Sequence, residues 1–248
     1  MGGGPSTGLS SLPDELAGLA EGYDFSRFPY YETSAKIYRL LSEDSILYLK
    51  IIEEQQTLNL ERESNILRWI DGRIPTPKLL YYGVQDGNEY QLTTEVKGTP
   101  TYQVQPNERE HVVKALGEAL KMIHSLDPTG CPIDNRIDNR LKQLQEGGVD
   151  TTQLNDQPNE SLVFTHGDYC LPNIIIDGRK LSGIIDWDYS GLADPYVDFT
   201  SCIWSMGYNY GLEETAERWE PYFFMVYGLE DVDVGKLAYY RQLMDLFP

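Results

Sequence analysis

Residues 163–199 read VFTHGDYCLPNIIIDGRKLSGIIDWDYSGLADPYVDF, and this stretch decides the fold. Two apolar runs, NIIID and KLSGIID, flank Asp177-Gly178, a dipeptide that favours a tight hairpin turn between short strands. Ahead of the first run stand His166, Gly167 and Asp168, with Asn173 five residues after the aspartate. The second run ends at Asp186, thirteen residues beyond Asn173. A hairpin of this length predicts that Asn173 and Asp186 are held side by side. The plain alternative is that Asp168 and Asp186 cap turns, a common use of aspartate.

Working outward towards the N-terminus, AKIYRLL and SILYLKI are rich in β-branched and aromatic residues and are separated by the polar turn SED, which predicts a hairpin. LERESNILRWI reads as a helix, with Leu60, Leu67 and Ile70 on one face and Glu63 on the same side. KLLYYGV and EYQLTTEV around Asp86-Gly87-Asn88 make a second hairpin. Beyond Gly98 and Pro100 the pattern turns helical. Asn107 with Glu110 suggests a capping box for a helix burying Val112, Val113, Leu116, Leu120 and Ile123. Two further helices are expected near 213–227 and 234–247. The organisation is α+β: a Gly-rich tail over 1–12 that is expected to be disordered, an antiparallel-sheet lobe with one helix over 13–96, and a mainly helical lobe over 97–248.

Phosphoryl transfer needs a cation against the phosphates that stay behind, oxygen ligands for Mg²⁺, and a carboxylate aligned with the accepting hydroxyl. The chain offers these in order. Lys50 ends the strand SILYLKI, and Glu63, thirteen residues on, can orient it through an ion pair, although a lone Lys and Glu at this spacing are usually surface residues. Asp168 can orient the acceptor hydroxyl, Asn173 offers a neutral oxygen to a metal and Asp186 an anionic one.

These residues resemble the aminoglycoside phosphotransferase family within the protein-kinase-like small-molecule kinases, above all its 3'-phosphotransferases, the kanamycin and neomycin kinases. The resemblance spans nearly the whole chain and implies a two-lobed protein-kinase-like fold. It also implies transfer of the γ-phosphate of ATP, with Mg²⁺, to an aminoglycoside hydroxyl, the 3'-OH favoured, conferring antibiotic resistance. By position it gives Lys50 the α- and β-phosphates, Glu63 the placing of Lys50, Asp168 the role of base, and Asn173 and Asp186 the magnesium. His166 would brace the loop, Tyr48 would stack on adenine, Thr94 and Val96 would offer backbone groups to the base, and Thr33 and Ser34 would lie in the phosphate-covering loop. Gly167 stands where protein kinases carry an arginine, and no A-P-E element follows Asp186, which argues against a protein substrate. Cys170 reads as a buried neutral thiol, His124 as a packed or capping histidine, and Asp188 as either a third acid near the metals or a turn residue.

Composition agrees. Over 248 residues, 20 Lys and Arg against 39 Asp and Glu give a net charge of -19, the wrong sign for holding nucleic acid. Residues 1–97 hold 9 basic and 15 acidic groups, a net of -6, and the rest hold 11 and 24, a net of -13. That second field reads first as a solvated acidic surface, and more sharply as a field that concentrates cationic small molecules. A pocket for an aminoglycoside should present several carboxylates. The 134–160 stretch is shorter than the acidic insertion of the similar kinases, with Asp150, Asp156 and Glu160 among its acids, while Asp245 and the Pro248 carboxylate stand where the resemblance places substrate ligands. The three cysteines form no metal or disulfide pattern, no apolar run reaches the ~18 residues of a membrane span, and the start lacks signal-peptide features, so a cytoplasmic monomer or dimer is expected. A kinase of the same fold acting on another amino-sugar, macrolide or metabolite hydroxyl is the alternative, and a catalytically silent nucleotide-binding regulator a further one.

Overall fold

The computed structural model describes residues 12–28, 35–53 and 59–246. The chain divides into two compact units, one comprising residues up to Arg68 together with Pro77–Glu95, the other Trp69–Thr76 together with the chain from Val96 on. The tail over 1–11, Thr33, Ser34, Phe247 and Pro248 lie outside the described residues.

In the first unit, helix α1 (Asp14–Leu19) precedes strands β1 (Asp24–Arg27), β2 (Ala35–Leu41) and β3 (Ile46–Ile52), helix α2 (Leu60–Ile70), and strands β4 (Leu79–Gln85) and β5 (Asn88–Thr94). The strands form one antiparallel sheet in the order β1-β2-β3-β5-β4. Both expected hairpins are present. Asp86 and Gly87 take positive φ values of 52° and 78°, the pair that a type I′ turn requires. Strand periodicity then decides the faces. Leu47, Leu49 and Ile51 of β3 pack with Leu16, Ala20, Leu40, Tyr90 and Leu92 into an apolar cluster, so Tyr48 and Lys50 point to the opposite face. On β5, Gln91 pairs with Lys50 and donates to the Ser64 hydroxyl at 3.0 Å, which ties α2 to the Lys50 face.

In the second unit, α3 (Arg109–His124), α4 (Ile137–Glu146), α5 (Tyr196–Tyr210), α6 (Leu212–Glu214), α7 (Glu220–Tyr227) and α8 (Val234–Met244) surround two small sheets. One has the order β6-β8-β9, with β6 (Thr99–Pro100), β8 (Ile174–Asp177) and β9 (Lys180–Ile184). The other pairs β7 (Val163–Thr165) with β10 (Gly191–Ala193). All five apolar residues expected to be buried on α3 are buried.

Three local expectations are corrected. Asn107 does not cap α3, because Pro106 starts a 3₁₀ turn over Pro106–Glu108 and the helix begins at Arg109 without a side-chain cap. The helix expected over 213–227 is interrupted by π-helical turns at Thr215–Trp219 just before Pro221, whose missing N–H cannot continue a regular ladder. The final helix stops at Met244.

Candidate active site

Lys50 sits on a central strand, between Ile37 of β2 and Gln91 of β5. Its Nζ donates to Glu63 Oε2 at 2.9 Å, with the lysine side chain 22% exposed and the glutamate 5%. The carboxylate is held there by the start of α2. Asn59 accepts from the Arg62 N–H at 3.0 Å as an N-cap, and Glu89 Oε2 accepts from the Leu60 and Glu61 N–H groups at 2.9 and 3.2 Å. Tyr48 meets Phe28 edge to face at 6.0 Å, and burial followed by the charge of Glu95 raises its hydroxyl above the ordinary tyrosine range. Thr94 spends its N–H on Lys78 O and its hydroxyl on the Lys78 N–H. Val96 lies against Gly183 of β9.

In the second unit the hairpin brings Asn173 and Asp186 close together, as the spacing implies. Asn173 immediately precedes β8, Asp186 follows β9 by two residues, and the Ile185 N–H donates to Asn173 O at 2.9 Å. Asn173 Nδ2 donates to Asp168 O and to Asp168 Oδ2, both at 3.0 Å. With the amide nitrogen so engaged, Oδ1 is its remaining polar atom, a neutral oxygen of the kind Mg²⁺ accepts. Asp186 has a φ of 67°, the left-handed region that a non-glycine residue enters at a cost of about 1–3 kcal/mol and that clusters at functional sites.

His166 is fully buried between Trp187 and Tyr169. Its Nε2 lies 3.0 Å from Ile185 O and must donate, so Nδ1 accepts from the Asp168 N–H at 3.3 Å. Both ring nitrogens brace the loop. Gly167 is required twice over, since its φ is +86° and a Cβ would lie 2.0 Å from Tyr189 O. No side chain of any size fits where protein kinases carry arginine.

The organising residue of this loop was not singled out in the sequence. Asp198, on α5, has no exposed surface, and its oxygens accept from the His166 N–H at 2.8 Å, the Gly167 N–H at 2.7 Å and His124 Nε2 at 3.0 Å. Burial pushes this carboxyl up, but the His124 hydrogen bond and the neighbouring imidazoles outweigh burial and hold it below the usual aspartate value. His124 is thereby a buried hydrogen-bonded histidine, its Nδ1 3.0 Å from the Tyr227 hydroxyl. The signal in the sequence was a lone acid between apolar neighbours, Val197 and Phe199. Cys170 is buried, and burial followed by the Asp168 charge pushes its thiol well above the ordinary cysteine range, so it is no nucleophile.

Asp168 opens onto a cavity of about 290 Å³, walled also by Arg140, Tyr189 and the α8 residues Tyr240, Leu243 and Met244. Among the described residues lining it, Asp168 is the only carboxylate and Arg140 the only cation, against the several carboxylates expected. Two of the acids in the short 134–160 stretch are engaged within it: Glu160 accepts the Ile137 N–H at the start of α4, and Asp150 accepts from Thr152. Asp245 follows Met244, and its Oδ1 lies 3.3 Å from Arg241 Nε.

An antiparallel sheet with an ion-paired lysine, and a helical unit with Asp168, Asn173 and Asp186 around one hairpin, define the protein-kinase-like phosphotransferases. The profile of the phosphotransferase enzyme family matches residues 32–156 and 148–233. An aminoglycoside 3'-phosphotransferase of Niallia circulans is 33% identical over 222 residues, 81% of this chain and 83% of that one. The chain therefore belongs to the phosphotransferase enzyme family and is an enzyme of that kind. The crystal structure of a type VIII aminoglycoside 3'-phosphotransferase superposes with a TM-score of 0.78 at 25% identity, covering 94% of this chain and 96% of that one. An aminoglycoside phosphotransferase of Streptomyces rimosus in complex with ADP and streptomycin shares the fold, with a TM-score of 0.76 at 22% identity over 94% and 96% of the two chains.

Proposed function

We propose that this enzyme transfers the γ-phosphate of ATP to an aminoglycoside hydroxyl, the 3'-hydroxyl favoured, and so confers resistance. The observation that carries the reading is Asp168, braced on both sides by its own loop and open to a cavity large enough for a sugar ring. The 33% identity to a 3'-phosphotransferase supports the acceptor. Lys50, positioned by Glu63, would bind the α- and β-phosphates; Tyr48, the backbone of Thr94 and Val96, and the segment of Thr33 and Ser34 would serve the rest of the nucleotide. Residues 13–96 would thus handle nucleotide and 97–248 catalysis and acceptor.

Asp168 would accept a hydrogen bond from the acceptor hydroxyl, fix its direction of attack, and take its proton late. Among the described residues no group of three or more His, Cys, Asp or Glu is arranged to hold a metal. That fits Mg²⁺, which keeps water and phosphate oxygens and asks for only one or two protein ligands, here Asp186 and Asn173. When bound, the ion would neutralise phosphate charge. Among the described residues no helix is long and apolar enough to cross a membrane, and we place the enzyme in the cytoplasm as a monomer or dimer without nucleic-acid partners.

The test is phosphate transfer by the purified protein from ATP to kanamycin, neomycin, their 3'-deoxy analogues, a macrolide and simple sugars. Transfer to the first two and not to the deoxy analogues is expected. Among the described residues lining the cavity, the single carboxylate and the guanidinium favour one second reading, a less cationic acceptor, and transfer only to the macrolide or sugars would establish it.

A further inference from the structure

We propose that Cys170 is a positioning residue for phosphoryl transfer, its thiol holding the Asp168 carboxylate by donating Sγ–H to Oδ1. The inference rests on the reading of Asp168 as the group that orients the acceptor hydroxyl. Cys170 Sγ lies 2.9 Å from Asp168 Oδ1, and a second acceptor, Ser201 O, is at 3.7 Å. A thiol has one proton, and the shorter, charge-assisted contact takes it. The two residues are also tied through the backbone, the Cys170 N–H donating to Asp168 O at 2.8 Å.

Asn173 Nδ2 holds the other oxygen, Oδ2, at 3.0 Å. The carboxylate is therefore pinned at both oxygens by side chains of its own loop, two and five residues away. A carboxylate has about four lone-pair directions, so two remain for an acceptor hydroxyl. Pinning matters because a hydroxyl is activated only when the carboxylate lies within hydrogen-bond reach and in line, and a small misplacement is costly in rate. Alanine at 170 would leave Asp168 held at one oxygen only, by Asn173, and able to turn about its Cα–Cβ bond. Serine would restore a donor at almost the same place.

The experiment compares Cys170→Ala and Cys170→Ser with wild type. Cys170→Ala should lose about ten-fold in kcat, with KM for ATP and for the acceptor within two-fold, and Cys170→Ser should recover most of the loss. A second measurement does not depend on turnover. The infrared S–H stretch of Cys170, isolated as wild type minus Cys170→Ser, should lie at the low frequency of a hydrogen-bonded thiol and move up in Asp168→Ala. A kcat within two-fold of wild type in Cys170→Ala, equal impairment and equal loss of Tm in both variants, or a band that Asp168→Ala leaves unmoved would each overturn the proposal. A wild-type enzyme that phosphorylates no acceptor overturns the proposed function, and the positioning role falls with it. Normal turnover with an unmoved band overturns the cysteine proposal alone.

Discussion

Lys50 and Asp168 are secured by different physics. Lys50 is held across a sheet and a helix by an ion pair in which the lysine side chain keeps 22% of its surface in contact with solvent. Asp168 sits in a loop whose backbone amides are gathered by a carboxylate with no exposed surface, Asp198. Removing Glu63 from the first arrangement leaves a lysine charge that water can reach. Removing Asp198 strands buried donors that nothing else can satisfy, and that kind of loss is several times more costly. The comparison teaches that the sheet unit tunes a charge, whereas the helical unit builds a rigid seat for a carboxylate.

The largest expected effect comes from the carboxylate itself. Asp168→Ala should lower kcat by on the order of 10² to 10⁴ while leaving nucleotide affinity nearly unchanged, because it removes alignment and proton acceptance without touching phosphate binding. Single-turnover transfer alongside nucleotide titration checks both halves. Near-wild-type turnover would break the comparison at its centre.

Asp198→Ala comes next and should act on stability. It leaves the His166 and Gly167 N–H groups and His124 Nε2 without their acceptor, and a loss of about 3–5 kcal/mol is expected. Asp198→Asn is the milder probe and carries a pH signature. The folded carboxyl titrates below the ordinary aspartate value. Its contribution is therefore present above the unfolded pKa near ~3.9 and is lost as pH falls through the lower folded value. The difference in Tm between wild type and Asp198→Asn should be full at pH 7 and narrow in acid below that range. A gap independent of pH would show that shape, not charge, is what the loop needs.

This contrast also sets how much could be read in the sequence. Asn173, Asp186 and their turn lie within one hairpin, so residue spacing alone places them together, and the β2-β3 and β4-β5 hairpins were legible for the same reason. Asp198 was not, because its partners lie 31, 32 and 74 residues away and a hydrogen bond at that range has no local period. Helices α4 and α5 lack a local signal on similar grounds. The start of α4 is met by Glu160 from 23 residues downstream, and α5 is apolar on most sides, with Val197, Phe199, Cys202 and Met206 all buried, so it lacks an amphipathic stripe. The left-handed backbone of Asp186 had no signature at all, since aspartate is common in turns of every kind.

The ion pair in the sheet unit should give a smaller effect and a different pattern. If Glu63 acts through Lys50, then Glu63→Gln should raise the KM for ATP in the wild-type background and do nothing further in Lys50→Ala. The coupling in the double-mutant cycle should be about 1–3 kcal/mol. Additive losses would mean that Glu63 serves the sheet unit in some other way, and the contrast with Asp198 would have to be redrawn as one of degree.

The smallest expected effect lies at the end of α8, where the cavity beside Asp168 meets the last described residues. Met244 lines that cavity and Asp245 follows it, but the Asp245 side chain is 59% exposed and shares its charge with Arg241 at 3.3 Å. A contact between this carboxylate and an acceptor ammonium would be hydrated and screened, worth no more than about 1 kcal/mol. Asp245→Asn should therefore raise the aminoglycoside KM about two- to five-fold, leave the KM for ATP alone, and lose its effect in high salt. Arg241→Ala removes the competing cation and should move the aminoglycoside KM the other way. If Asp245→Asn is silent and Arg140→Ala instead lowers the aminoglycoside KM, the cavity selects its acceptor by excluding charge, and the less cationic acceptor becomes the better reading of this site.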